Sequence, residues 1–100
     1  MNYTFKENQL DYETYYILRK SVKWNNWSRE QAEIALGNSY YTVTVFDNKV
    51  PIGMGRAVGD GIYFMIMDIV VKPEYQRMGI GSTIIPVSYT HLTLPTNSLV

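Results

Sequence analysis

Apolar and polar positions along this chain change period several times, and each change marks an element boundary. Tyr3 to Lys6 alternates aromatic with polar residues, the pattern of a short half-buried strand. From Asp11 to Trp24 the apolar residues Tyr12, Tyr15, Tyr16, Ile17 and Val22 fall largely at three and four spacing. With Asp11 placed as N-cap and Lys20 and Lys23 near the end, that spacing predicts a first helix. The link Trp24-Asn25-Asn26-Trp27 breaks the period. Ser28 then opens an S-x-x-Q capping box with Gln31, and Gly37-Asn38 closes a short second helix. Tyr40 to Phe46 is rich in β-branched and aromatic residues, Asp47-Asn48-Lys49 is turn chemistry, and Val50 to Val58 resumes an extended pattern, which together predict a hairpin. The Gly53-Met54-Gly55 stretch inside it reads as a strand irregularity, with no helix after it to make it a phosphate loop. A second turn, Gly59-Asp60-Gly61, leads into Ile62 to Val71, an apolar run broken only by Asp68, as expected of a central strand buried on both faces. The order strand, helix, helix, three strands and a renewed helical pattern is an α/β (α+β) layout with an antiparallel meander.

Composition narrows the class. The chain has 100 residues, enough for one domain, and its 46% hydrophobic and 18% charged content is that of a folded globular protein. Lys plus Arg and Asp plus Glu are equal at 9 each and no block of like charge stands out, so neither nucleic acid nor a membrane surface is an expected partner. There is no apolar signal core at the N-terminus and no run near the roughly 20 apolar residues of a membrane span, so a cytoplasmic address is expected. The absence of cysteine excludes a thiolate nucleophile, a disulfide framework and a thiolate zinc site.

The chemistry lies after the last strand. Val71-Lys72-Pro73 stops the strand, Gly79 and Gly81 follow, and a helical pattern restarts at Ser82-Thr83-Ile84-Ile85. Glycines let the backbone approach a ligand, and the free amides of a first helical turn attract phosphate oxygens. A Walker A loop needs a lysine after its last glycine, where Ser82 stands; a dinucleotide fingerprint needs a third glycine, where Ile84 stands.

Gln76-Arg77-Met78-Gly79-Ile80-Gly81 instead resembles the Q/R-x-x-G-x-G/A loop of the GNAT superfamily of acetyl-CoA-dependent N-acetyltransferases. The frame of hydrophobic strand, Val-x-Pro and helix matches from Asp68 to Ile85, and the preceding element order matches as well. The resemblance implies a GNAT fold, β-α-α-β-β-β-α with a mixed, mostly antiparallel sheet, cut off after the start of the third helix. It implies transfer of an acetyl group from acetyl-CoA to a primary amine of a small molecule or peptide, with no metal and no other cofactor. The intact parent could be a homodimer. By the same resemblance Ile69, Val70 and Val71 line the pantetheine arm, and Gln76, Arg77, Met78, Gly79, Ile80, Gly81 and Ser82 hold the phosphates, chiefly through main-chain amides. Arg77 reads equally as a CoA-phosphate partner or as a solvated loop cation. An amide near Val70 is the implied oxyanion donor. Asp68, the only ionisable group of its strand, is a candidate base, with a structural carboxylate as the preferred reading. Trp24, Trp27 and Tyr63 could border the acceptor, against a core role for such aromatics.

The resemblance covers residues 1–85. Pro86 breaks the helix, and Val87-Ser88-Tyr89-Thr90-His91-Leu92-Thr93-Leu94-Pro95-Thr96 has neither period. These residues resemble the in-frame translation of a transposase-based sequencing adapter. Residues 86–100 are therefore expected to be a non-native tail, and His91 no catalytic base. Most of the third helix, the fifth strand, the later elements and the tyrosine that commonly protonates the leaving thiolate are then expected to be missing. Two alternatives to an active enzyme remain: a CoA-binding module without turnover, and an inert fragment.

Overall fold

A computed structural model of the chain describes residues 3–84; Ile85 and the expected tail lie outside the described residues. The element order is β1 (Tyr3–Glu7), α1 (Tyr12–Ser21), α2 (Arg29–Gly37), β2 (Tyr41–Asp47), β3 (Val50–Gly59), β4 (Phe64–Val71), then a 3-10 turn at Pro73–Tyr75. Residues 80–84 are helical and are called α3 below.

Local chemistry sets the helix ends. Asp11 is extended and its side chain accepts the Thr14 amide at 2.9 Å. Ser28 and Gln31 form the reciprocal capping box of α2. The first helix stops at Ser21, earlier than its apolar spacing predicts. Lys23 turns left-handed at φ 64, and the amides of Lys23 and Trp24 return to the carbonyls of Lys20 and Arg19, a Schellman ending built on lysine instead of glycine.

The sheet is four-stranded in the order β1-β2-β3-β4, and all three described pairings are antiparallel, so the expected mixed character is not found among the described residues. One face packs on α1 and α2 through Leu10, Tyr15, Leu18, Ala32, Met54 and Val70. The other packs on α3, where Ile80 and Ile84 meet Tyr41, Val43, Val45, Ile52, Ala57 and Phe64. β4 is an edge strand among the described residues, not a strand buried on both faces: Met65 and Met67 are 50% and 40% exposed.

The irregularity read at Gly53-Met54-Gly55 is real, but its extra residue sits across the ladder. Arg56 pairs with Met67 and Met54 with Val70, so Gly55 alone stands opposite both Asp68 and Ile69. The bulge is in β4. It leaves Met67 and Val70, three positions apart, on the same face as Arg56 and Met54. Gly55 makes room for this packing: a Cβ on it would lie 2.7 Å from both Ile69 Cδ1 and Ile84 Cγ2, so those side chains would have to shift.

Candidate functional site

Two structures meet at β4: a buried ion cluster at its bulge and a glycine loop beyond its end. Asp68 takes φ 54 at the bulge, a left-handed conformation that Asp tolerates better than most residues. Strict alternation from Met67 would send its carboxylate into the apolar face under α3. The bulge turns it instead toward α1. There Asp68 Oδ1 accepts from Arg19 Nη1 at 2.7 Å, and Oδ2 accepts from Arg56 Nε at 2.7 Å and from the Tyr15 phenol at 2.9 Å. Arg19 also donates to the Asn25 carbonyl and lies over the Trp24 ring, 5.2 Å from its centroid. Arg56 reaches on to the Ser39 hydroxyl at 3.1 Å. One carboxylate thus ties together α1, the α1–α2 link and β3. Burial, reinforced by the hydrogen bond to Asp68, raises the Tyr15 pKa above its ordinary 10.0 and keeps the phenol a donor.

Arg19, Arg56 and Tyr15 were not singled out from the sequence. The available signal was an arginine on the buried, Tyr15-bearing face of α1, and opposite charges embedded in two adjacent apolar strands.

Beyond Val71 the pairing with β3 continues for one more bond, the Lys72 amide donating to the Ile52 carbonyl at 2.8 Å. Gln76 Nε2 folds back onto the Val71 carbonyl at 3.0 Å. Arg77 and Gly79 are left-handed, at φ 69 and 79, so the loop makes a sharp reversal just before α3. Among the described residues the amides of Gly79, Ile80, Gly81 and Ser82 have no hydrogen-bond acceptor. They are the orphan donors of a helix start. Ile80 is buried, so only its amide faces outward chemistry. Val70 is likewise a core side chain, whereas Ile69 and Val71 are half-buried. Arg77 and Ser82 are exposed, and Arg77 has no ion-pair partner among the described residues. The Met78 side chain is exposed and its sulfur accepts from the Tyr3 phenol.

Gly81 differs from Gly79. Its φ is unexceptional and a Cβ on it would meet only Val71 Cγ2, at an ordinary 3.8 Å. Nothing in the fold requires a glycine there, although one in a helix costs about 1 kcal/mol relative to alanine. The open surface above it is available to a ligand.

Trp24, Trp27 and Tyr63 are exposed, not core. Trp24 stands beside the Asp68 cluster through Arg19. Tyr63 borders a shallow cavity of about 300 Å³ with Val58, Gly59, Asp60, Phe64 and Met65. That cavity lies at the start of β4, and the seven rises from Phe64 to Val71 separate it from the loop by about 23 Å. The structure therefore brings Trp24 to the middle of the strand and leaves Tyr63 at the far end. Among the described residues no cluster of His, Cys, Asp and Glu could hold a metal ion, and no helix is long and apolar enough to cross a membrane.

Comparison with known proteins agrees with this architecture. The sequence profile of the acetyltransferase (GNAT) family matches residues 3–86. No curated protein matches the chain. Among solved structures, a protein of unknown function from meticillin-resistant Staphylococcus aureus, named a probable acetyltransferase, is 34% identical with a TM-score of 0.84; the match covers 99% of this chain and 73% of that one. A GNAT family acetyltransferase from Streptococcus pneumoniae is 30% identical with a TM-score of 0.81, over 96% of this chain and 76% of that one. The PaiA N-acetyltransferase of Thermoplasma acidophilum, solved in complex with coenzyme A, shares the fold at 17% identity and a TM-score of 0.72, over 92% of this chain and 72% of that one. With this profile match and these two relatives, the chain belongs to the GNAT family of acetyltransferases, N-acetyltransferases whose fold implies acyl transfer from acetyl-CoA.

Proposed function

We propose that the protein transfers the acetyl group of acetyl-CoA to a primary amine of a small molecule or peptide, with the loop from Gln76 to Ser82 taking the CoA diphosphate. The observation that carries this reading is the set of unaccepted amides at Gly79, Ile80, Gly81 and Ser82, beside a glycine the fold does not need. Such amides, aligned with a helix dipole, suit phosphate oxygens. Acetyl-CoA supplies an acyl thioester open to attack by a neutral amine.

The chain's own contribution is placement. The outer edge of β4 pairs with no described strand, so its main-chain groups around Ile69, Val70 and Val71 can add an extended pantetheine arm as a strand is added. The bulge at Asp68 and Ile69 lifts amides out of the ladder beside Val70, where an oxyanion donor is needed. Asp68 is assigned a structural role, because two guanidiniums and a phenol already occupy its oxygens. Trp24 and Trp27, on the link tied to this cluster through Arg19, border the acceptor.

The test is calorimetric titration with CoA of the wild-type chain and of Gly81→Ala, Gly79→Ala and Arg77→Ala. Gly81→Ala should leave the thermal midpoint unchanged or raised while weakening CoA by about tenfold, the loss of roughly 1.4 kcal/mol. Arg77→Ala should cost less. Equal losses at Arg77 and Gly81, or CoA binding indifferent to Gly81→Ala, would overturn the amide cradle.

A further inference from the structure

The amide-bearing loop is tethered to the sheet at successive strands, by contacts that acyl transfer itself does not use. Leaving β4, the chain is first held to β3 by the Lys72 amide on the Ile52 carbonyl. It is next held to β2, where the Tyr75 phenol donates to Asp47 Oδ2 at 2.7 Å. It is held last to β1, where the Tyr3 phenol donates to Met78 Sδ at 3.4 Å. Tyr3 and Asp47 are register partners, and the Tyr3 and Tyr75 rings meet edge to face, 6.3 Å apart at 78°. Both rings also pack against the apolar cluster that seats Ile80 and Ile84. In this way the loop traverses the sheet from one edge strand to the other, three strand spacings or about 14 Å.

These tethers bracket the unusual backbone. Tyr75 and Met78 flank Gln76 and left-handed Arg77, and left-handed Gly79 follows directly. A bulky residue at positive φ is uncommon and persists where surrounding contacts over-determine it. We propose that the Tyr75–Asp47 pair, assisted by Tyr3 on Met78, is a latch that pre-shapes the loop so that its free amides converge on a diphosphate before the ligand arrives. The latch rests on the reading of that loop as the CoA diphosphate site. Of its two bonds, the phenol–carboxylate one is the stronger, because its acceptor is charged and the thioether sulfur is a weak acceptor. The hydrogen bond to Asp47 also raises the Tyr75 pKa, so the phenol stays a donor at neutral pH.

A loop that is already shaped does not divide its population among incompetent conformers, and apparent affinity falls in proportion to the competent fraction. If Tyr75→Phe reduces that fraction to about a fifth, the Kd for CoA rises about fivefold. The experiment titrates the full chain and its Tyr75→Phe, Asp47→Asn, Tyr3→Phe and Tyr75→Phe/Asp47→Asn variants with two probes, CoA and pantetheine, the second lacking the diphosphate. Amide chemical shifts read both, and hydrogen exchange of the loop amides from Met78 to Ser82 is measured without ligand.

The latch requires weaker CoA binding in Tyr75→Phe, unchanged pantetheine binding, faster exchange in the loop but not in β2 and β3, and a double variant no worse than Tyr75→Phe. Tyr3→Phe should have a smaller effect. Equal weakening of both probes would show general destabilisation and overturn the latch. Wild-type CoA binding that Tyr75→Phe leaves untouched overturns the latch alone. A wild-type chain that binds no CoA overturns the diphosphate reading together with it.

Discussion

Replacing Asp68 separates a structural carboxylate from a catalytic base, because the two roles predict opposite pairs of measurements. The carboxylate is 10% exposed, and its partners Arg19 and Arg56 are 11% and 12% exposed, so removing its charge strands two guanidiniums in a largely water-free site. Breaking a buried ion pair from one side costs about 3–5 kcal/mol. Asparagine keeps the shape and the tolerance of φ 54, and one oxygen remains to accept, so Asp68→Asn should fall at the lower end of that range. Asp68→Ala adds about 1 kcal/mol for a left-handed non-glycine residue, an increment that Asp68→Gly should avoid. Taking about 3 kcal/mol for Asp68→Asn and a urea m-value of about 2 kcal/mol/M, its unfolding midpoint should drop by about 1.5 M. Urea denaturation followed by circular dichroism gives the midpoint, and thiol release from acetyl-CoA with an amine acceptor gives turnover. The structural role requires a large midpoint shift, with turnover per folded molecule retained in Asp68→Asn under conditions where it stays folded. A midpoint lowered by less than about 0.5 M together with collapsed turnover and intact CoA affinity would refute the reasoning and make Asp68 the base.

Further expectations follow from the packing and the titrating groups. Gly55→Ala should destabilise the chain by about 1–3 kcal/mol, because the new Cβ meets both Ile69 Cδ1 and the Ile84 Cγ2 methyl in the apolar cluster under α3; a neutral thermal melt would show that α3 can move away. Thr44→Val should be neutral or stabilising by about 1 kcal/mol, since the Thr44 hydroxyl is buried with no hydrogen-bond partner among the described residues; a clear loss of stability in urea would reveal a partner for it. Tyr15 and Tyr41 have pKa values raised first by burial, and Tyr75 by its bond to Asp47, all from an ordinary 10.0, so the fold favours their neutral forms. Their stabilisation is complete below about pH 10 and is lost as pH rises through the raised values, so melts should weaken only above that pH. Phenolate absorbance in which all tyrosines titrate together near 10, with no loss of stability, would contradict this.

The sequence by itself determined what depends on neighbours a few residues apart. Asp11 capping Thr14, the Ser28–Gln31 box and the turn at Asn48 are contacts within one helical turn or one hairpin, so residue type and spacing were enough to read them. The glycine loop was legible for the same reason, since proline, glycines and a renewed helical period succeed one another within a dozen positions. The end of α1 was misread even though it is local, because a lysine at φ 64 carries no signature that distinguishes it from one more helical residue. The orientation of Asp68 could be settled only by tertiary structure. Its partners lie 53, 49 and 12 positions away, and whether it faces α1 or the core beneath α3 depends on a bulge of one residue that reverses strand alternation. The tether of Tyr75 to Asp47, 28 positions apart, was hidden in the same way. A period in the sequence records which side of an element is apolar; it does not record which element lies opposite, and at this site the opposing element decides what the charge does.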